Sequence, residues 1–270
     1  MRVPLLATLP LLLMCAAHKP GPPLPFQAMA YNVLFSSTEE DASLGVIEAE
    51  LPDVLCLTEV TPGFSESFRR RLGQQYPHTF FAPRAGTWGV GIASRHPLRH
   101  GQRFAQKPHR MPAAEAQVKL EGRWLKVVCA HLMPPGAQHK KTDDLFDSME
   151  KNAQLREKQG AELVKRYEKE TGPVLLLGDM NETREGAAMR AFATAGFLHA
   201  CDGPQAACGA TWPGATSVLP AVAEIDHILG RGLVFSDARV LRKGGSDHYP
   251  VQVRFDFAPP TAAPPAQKAP

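Results

Sequence analysis

Polar side chains that can bind a metal or move a proton recur in this chain where short apolar runs stop. Asn32 follows Met29-Ala30-Tyr31, Glu59 follows Val54-Leu55-Cys56-Leu57-Thr58, and His131 follows Val127-Val128-Cys129-Ala130. Asp179 and Asn181 follow Val174-Leu175-Leu176-Leu177-Gly178. Asp226 and His227 sit inside Glu224-Ile225-Asp226-His227-Ile228-Leu229, and Ser246-Asp247-His248 precedes the last apolar stretch. Each alone is ordinary, since a lone acid after a strand is usually a turn former and a lone histidine usually a surface or core residue. Together they ask for one chemistry. Carboxylate and carboxamide oxygens suit magnesium, or manganese in its place, which keeps several waters and takes few protein carboxylates before meeting phosphate. Zinc would want more imidazole or thiolate than this set brings together. Histidines beside carboxylates serve proton transfer near neutral pH. The set predicts metal-assisted hydrolysis of a phosphate ester.

Such groups need a rigid frame, and the intervening sequence supplies it. Residues 174–177 are a continuous apolar run, the mark of a strand covered on both faces. Ala114, Ala116, Val118 and Leu120 alternate with Glu115, Gln117 and Lys119, and Glu121-Gly122 then turns the chain into residues 124–130 as an antiparallel hairpin. Val251, Val253, Phe255 and Phe257 alternate with polar residues in the same way. Further strands are predicted over residues 27–33, 54–58, 90–94, 224–229 and 233–241, and helices over 41–50, 64–72, 148–169 and 186–194. Two covered sheets with helices outside are the economical way to layer these elements.

The 270 residues carry a net charge of +3, which permits a polyanionic partner without arguing for one. Residues 1–17 place Arg2 before an apolar stretch that ends in Cys15-Ala16-Ala17, as a secretory signal does, and are too short to span a bilayer. Cleavage after Ala17 is one reading; Leu12-Leu13-Met14-Cys15, which resembles a bacterial lipobox with Cys15 lipidated, is the other. Either exports the body, to the periplasm or beyond, with no transmembrane span after signal removal. Residues 18–25 read as a linker, 26–257 as one catalytic domain and 258–270 as a disordered tail rich in proline and alanine. In an oxidising compartment Cys201 and Cys208 either close a small surface loop or stay as thiols. Cys56 and Cys129, inside strand-like runs, read as buried core thiols.

The ordered motifs Tyr31-Asn32, Leu57-Thr58-Glu59, Gly89-Val90-Gly91-Ile92-Ala93-Ser94-Arg95, Ala130-His131-Leu132, Gly178-Asp179-Met180-Asn181, Ile225-Asp226-His227-Ile228 and Ser246-Asp247-His248 carry a resemblance. The chain resembles the endonuclease/exonuclease/phosphatase superfamily, which includes deoxyribonuclease I, exonuclease III, neutral sphingomyelinases and inositol polyphosphate phosphatases. The resemblance implies an α+β fold, a four-layer αββα sandwich of two mixed sheets like deoxyribonuclease I, with the site where the sheets meet at one end. It implies Glu59 as principal metal ligand, with Asn32 and Asp247 near the metal or its waters. Asp179 would orient or deprotonate the attacking water, Asn181 would hold the scissile phosphate, and His248, fixed by Asp226, would contact the phosphate or act as base. His131 would be an acid toward the leaving group or a phosphate ligand.

On the helix predicted from Ser148, Met149, Ala153, Gly160, Leu163, Val164 and Tyr167 form one stripe with Arg156 in its middle. Arg156 either snorkels along the flank or pairs with a site carboxylate or the substrate. Arg99, Arg103, Lys107 and Arg110, with His100 and His109, make a basic hairpin that either tracks a phosphate backbone or is simply solvated. Phe104 and Met111 are a thin version of an apolar tip for membrane insertion. The expectation is a secreted, monomeric, magnesium-dependent phosphodiesterase acting on nucleic acid. A sphingomyelinase-like or inositol-phosphate-type lipid phosphoesterase is the second reading, and a silent binding module on the same fold the third.

Overall fold

A computed structural model describes residues 25–105, 111–136 and 144–259. The leader with Cys15, most of the linker, Lys107, His109, Arg110 and most of the tail lie outside the described residues. In chain order the elements are β1 (Phe26–Asn32), α1 (Glu40–Glu50), β2 (Val54–Thr58), α2 (Pro62–Leu72), β3 (His78–Ala82), β4 (Val90–Ser94) and β5 (Leu98–Ala105). There follow β6 (Pro112–Leu120), β7 (Arg123–His131), α3 (Leu145–Tyr167), β8 (Val174–Asp179), α4 (Ala187–Thr194), β9 (Leu198–His199), β10 (Asp226–Arg231), β11 (Leu233–Val240) and β12 (Val251–Phe257). The expected hairpin is β6–β7, and the alternating C-terminal strand is β12. β3 carries no alternation that sequence reading picked up, because all five of its residues are half-buried.

The strands make two six-stranded mixed sheets, ordered β11-β12-β1-β2-β4-β3 and β5-β6-β7-β8-β10-β9. Each has one central parallel pair, β1 with β2 and β7 with β8, among antiparallel neighbours. Because side chains alternate across a strand, each central strand divides its apolar residues between two cores. Ala28, Ala30, Val54 and Cys56 of the first sheet meet Val127, Cys129, Leu175 and Leu177 of the second in the central core. Met29, Tyr31, Leu55 and Leu57 turn outward onto α1 and α2, while Val128, Ala130, Val174 and Leu176 turn outward onto α3 and α4. That is the expected αββα sandwich.

The same alternation aims the strand ends. Asn32 continues Ala28 and Ala30, His131 continues Val127 and Cys129, and Asp179 continues Leu175 and Leu177, so all three emerge between the sheets at one end. Gly178 makes the last step possible. Its φ is 137° and a Cβ there would lie 2.0 Å from the carbonyl oxygen of Ala130, which only glycine permits.

Two sequence expectations need correction. Cys56 and Cys129 are not free core thiols but a disulfide, with Cα atoms 5.2 Å apart, that ties β2 to β7. They lie on different sheets, so nothing local to either strand reveals the pairing. On α3 the buried stripe is rotated: Ser148, Asn152, Arg156, Gln159, Gly160, Leu163 and Tyr167 are buried, while Met149 is exposed. The helix turns a polar face inward along its first half. The Cys201–Cys208 disulfide is formed, with Cα atoms 5.9 Å apart.

Candidate active site

Where the sheets meet, Asp179 is the hub. Its Oδ2 accepts from Asn32 Nδ2 at 3.0 Å and lies 3.4 Å from His131 Nε2 and 3.7 Å from His248 Nε2, while Oδ1 accepts from the Asn181 amide at 2.9 Å. Only 1% of its surface is exposed. Asn32, from the other sheet, also donates to Glu59 Oε1 at 3.1 Å, and its own oxygen accepts from Leu34 N–H at 3.0 Å. Asn32 thus turns an N–H toward the carboxylates and braces them. Glu59 Oε2 accepts from the Phe35 amide at 3.1 Å.

Glu59 breaks the alternation of β2, and its backbone explains how it still joins the others. Its φ is 63°, in the left-handed region that a non-glycine residue rarely adopts. Asn181 has φ 52° and donates from Nδ2 to the carbonyl of Leu132 at 3.1 Å. Two residues of one predicted set held in this conformation fit the clustering of backbone strain at functional sites.

Both histidines have fixed ring orientations. His248 Nδ1 donates to Asp226 Oδ2 at 2.8 Å, leaving Nε2 facing Asp179. Burial works against charge on His248, but Asp226 and Asp179 outweigh it and hold its pKa up at about 10. The proton of this coupled pair resides on His248. Asp226 takes backbone support of its own, since the hydroxyl of Thr211 accepts its amide at 3.2 Å. His131 Nδ1 donates to the carbonyl of Thr87 at 3.2 Å, which points Nε2 at Asp179. Thr87 carries no sequence signal, because a backbone carbonyl does this work for any residue type. Ser246 links the halves: its hydroxyl donates to the carbonyl of Asn32 at 2.7 Å and accepts the His248 amide at 3.1 Å.

The donor set fits a hard divalent cation. Asp179, Asp226 and His248 offer ligand atoms within 4.8 Å of one another. Among the described residues Asp247 Oδ1 is buried with no hydrogen-bond partner, and the Glu59 carboxylate accepts from two N–H donors. Oxygen-rich, negatively charged and short of protein cations, this corner suits magnesium or manganese.

Arg156 is buried and does not snorkel. Its Nη1 donates to the carbonyl of Met133 at 2.9 Å, its Nε lies 3.5 Å from Glu182 Oε2, and its charge also acts on the site carboxylate Asp179. Burial lowers the pKa of Arg156 and raises that of Glu182, each opposed by the other's charge. Gln159 accepts the Met133 amide at 3.0 Å and Asn152 donates to the carbonyl of Pro135 at 2.8 Å, so the inward polar face of α3 grips the segment after His131. Arg99 stacks 3.7 Å over Trp124 and donates to Gln117 at 2.9 Å. Met111 is 1% exposed and Phe104 lies under Arg166 at 4.0 Å, so neither is an apolar tip.

A family model described as Endonuclease/Exonuclease/phosphatase family matches residues 29–248. The chain belongs to this family. The match encloses every predicted site residue, and it makes this member of the endonuclease/exonuclease/phosphatase family a phosphoesterase. Solved structures share the fold at low identity. An endonuclease/exonuclease/phosphatase from Beutenbergia cavernae is 18% identical with TM-score 0.69, over 88% of this chain and 73% of that one. TDP2 of D. rerio, complexed with single strand DNA product, is 18% identical with TM-score 0.66, over 86% and 99%. A mannosyl-6-phosphatase of Bacteroides thetaiotaomicron is 13% identical with TM-score 0.65, over 86% and 100%. No curated protein sequence matches the chain.

Proposed function

We propose that this phosphoesterase is an exported, magnesium-dependent phosphodiesterase. The observation that carries the reading is the position of Asp179, buried between two histidines and held by an amide of the opposite sheet. A carboxylate so placed accepts a proton from a water that approaches the phosphorus. Asn181 holds a phosphoryl oxygen, and His248, charged through Asp226, stabilises charge that builds on the phosphoryl group. His131, with Nδ1 engaged by Thr87 and Nε2 3.4 Å from Asp179, would take that proton from Asp179 at Nε2 and pass it to the leaving oxygen. Glu59 and Asp247 would hold the magnesium, with Asn32 bracing Glu59. The bound ion supplies positive charge to the phosphoryl oxygens.

Export rests on residues 1–17 and agrees with two disulfides in the body, which persist in oxidising compartments. Among the described residues no helix is long and apolar enough to cross a membrane. Nucleic acid is the first substrate reading, supported by the DNA product bound to the D. rerio neighbour. A lipid phosphodiester is the second, favoured by the apolar side chains exposed around the site end. The silent-module reading loses ground because the assembled set has no gap a degenerate copy would show.

The test is hydrolysis of bis(p-nitrophenyl) phosphate with magnesium and with chelator, in wild type, Asp179→Ala and His248→Ala. Metal-dependent turnover lost in both variants is expected. Turnover without metal, or full activity in the variants, contradicts the reading. Plasmid DNA, RNA and phospholipid then rank the substrates.

A further inference from the structure

Asp247 and His248 enter the candidate site from the loop between β11 and β12 rather than from a strand, so no sheet ladder fixes their backbone. Part of the hold is at the front, where the Ser246 hydroxyl joins Asn32 to His248 and Gly214 N–H donates to the carbonyl of Asp247 at 2.6 Å. The rest is behind the loop, in groups that the proposed chemistry does not use. Gly245 N–H is shared by two hydroxyls, Tyr31 Oη and Ser43 Oγ, each at 3.2 Å. These hydroxyls bond each other at 2.9 Å, and both side chains are buried. The carbonyl of Gly245 accepts from Ser37 Oγ at 2.5 Å.

Strand alternation brings Tyr31 to this place. At the end of β1 it sends Asn32 between the sheets and turns Tyr31 into the outer core, with Leu44 and Ile47 of α1. Ser43 lies on the inward face of the same helix. Two glycines let the loop press against both elements. A Cβ on Gly244, whose φ is 133°, would lie 2.3 Å from the Tyr31 hydroxyl, and one on Gly245 would lie 1.9 Å from the carbonyl oxygen of Glu39, just ahead of α1. Tyr76, in the same outer core, shows the contrast: its hydroxyl donates to the carbonyl of Pro52 at 2.8 Å, ahead of β2 and at the other end of that strand from Glu59.

We propose that Tyr31 and Ser43 are positioning residues for Asp247 and His248, acting through the Gly245 amide. The role rests on the phosphodiesterase reading above, in which Asp247 holds magnesium and His248 faces the phosphoryl group. Two acceptors on one donor make the hold redundant. Either hydroxyl satisfies the amide, and loss of both leaves a buried N–H unpaired, so the segment shifts until it finds another partner. An outer helix with no catalytic side chain thereby sets where a metal ligand and an imidazole stand.

The test compares wild type, Tyr31→Phe, Ser43→Ala, the double variant and Tyr76→Phe, by steady-state kinetics on bis(p-nitrophenyl) phosphate per folded molecule and by the rise in Tm that magnesium produces. Each single variant is expected to stay close to wild type. The double variant is expected to need about tenfold more magnesium for half-maximal rate and to lose about tenfold in kcat, with KM for the phosphodiester unchanged and the magnesium shift in Tm reduced. Returning one hydroxyl, in Tyr31→Phe/Ser43→Thr, restores both. Tyr76→Phe lowers Tm but leaves kcat and the magnesium requirement as they are. Ser37→Ala, at a half-buried position that folding tolerates, frees the Gly245 carbonyl and should raise the magnesium requirement about threefold; it decides the matter if the double variant does not fold. Wild-type magnesium requirement and kcat in the double variant, additive effects of the two single changes, or an equal loss of kcat in Tyr76→Phe overturns the proposal. Absence of wild-type turnover with an intact magnesium shift strikes the phosphodiesterase reading alone, and the shift in the double variant then decides the positioning.

Discussion

Glu115 and Asp179 are both carboxylates buried in the second sheet, and they are kept in opposite ways. Glu115 receives two N–H bonds from Arg166, at 3.0 and 2.8 Å, and the hydroxyl of Tyr167. Burial opposes its charge, but those partners prevail and its pKa stays below the usual carboxylate value. Its charge is answered from within the protein. Asp179 shares its corner with Asp226, Glu59 and Asp247, and among the described residues the charge of this group is answered by His248, with Arg156 acting on Asp179 as well. Such a cluster is incomplete until a cation from outside joins it, whereas the Glu115 cluster is finished at folding. The difference separates a carboxylate that holds the sheet to its helix from one that the proposed function gives to chemistry.

Substitutions should fall on either side of that line. Asp179→Asn is expected to lower phosphodiester turnover by about 10³-fold or more while its Tm stays within a few degrees of wild type or rises, since a like charge leaves the cluster. Steady-state kinetics with thermal unfolding on the same preparation checks both halves. Asp226→Asn should cost about 10- to 100-fold in turnover, because His248 loses the acceptor that fixes its ring and its charge. The alkaline limb of the pH–rate profile, set by loss of the His248 charge, should shift down with it. Glu115→Gln should do the reverse, losing about 2 kcal/mol of stability in urea unfolding, a figure kept low because Arg166 is partly exposed, with kcat per folded molecule unchanged.

The smallest expected effect is a pH dependence with two signs. His199 Nε2 donates to His227 Nδ1 at 2.9 Å, and His227 Nε2 donates to the carbonyl of Glu182 at 2.9 Å. His199 Nδ1 accepts the Cys201 amide at 3.1 Å, so the chain runs one way and both rings are neutral. Burial pulls their pKa values from 6.5 down to about 3 and about 4. The unfolded chain therefore binds protons first, and their stabilisation, full above pH 6.5, declines as pH falls toward 3. His248, raised to about 10, contributes fully below 6.5 and loses its contribution as pH rises through 10. Urea midpoints against pH should show both slopes, and His248→Gln should remove the alkaline one alone.

Much of the site was legible because strand alternation is a local rule. Asn32, His131 and Asp179 each end an apolar run that sequence shows, and the alternation within those strands aims all three between the sheets. Glu59 breaks that alternation, and only its left-handed backbone brings it in. The Cys56–Cys129 bond joins strands of different sheets, and Thr87 acts through a carbonyl, so neither leaves a trace in local sequence. The α3 stripe was drawn through apolar residues, whereas the helix also buries Asn152 and Gln159 to hold the backbone beyond His131.

Magnesium titration followed by thermal unfolding, carried out in parallel on wild type, Glu59→Gln and Glu115→Gln, tests the contrast most directly. Ligand that binds only the folded state raises Tm. Magnesium should raise the Tm of wild type and of Glu115→Gln by equal amounts, from different starting points, and leave Glu59→Gln unmoved. No magnesium effect on wild type, or an undiminished shift in Glu59→Gln, would contradict the account.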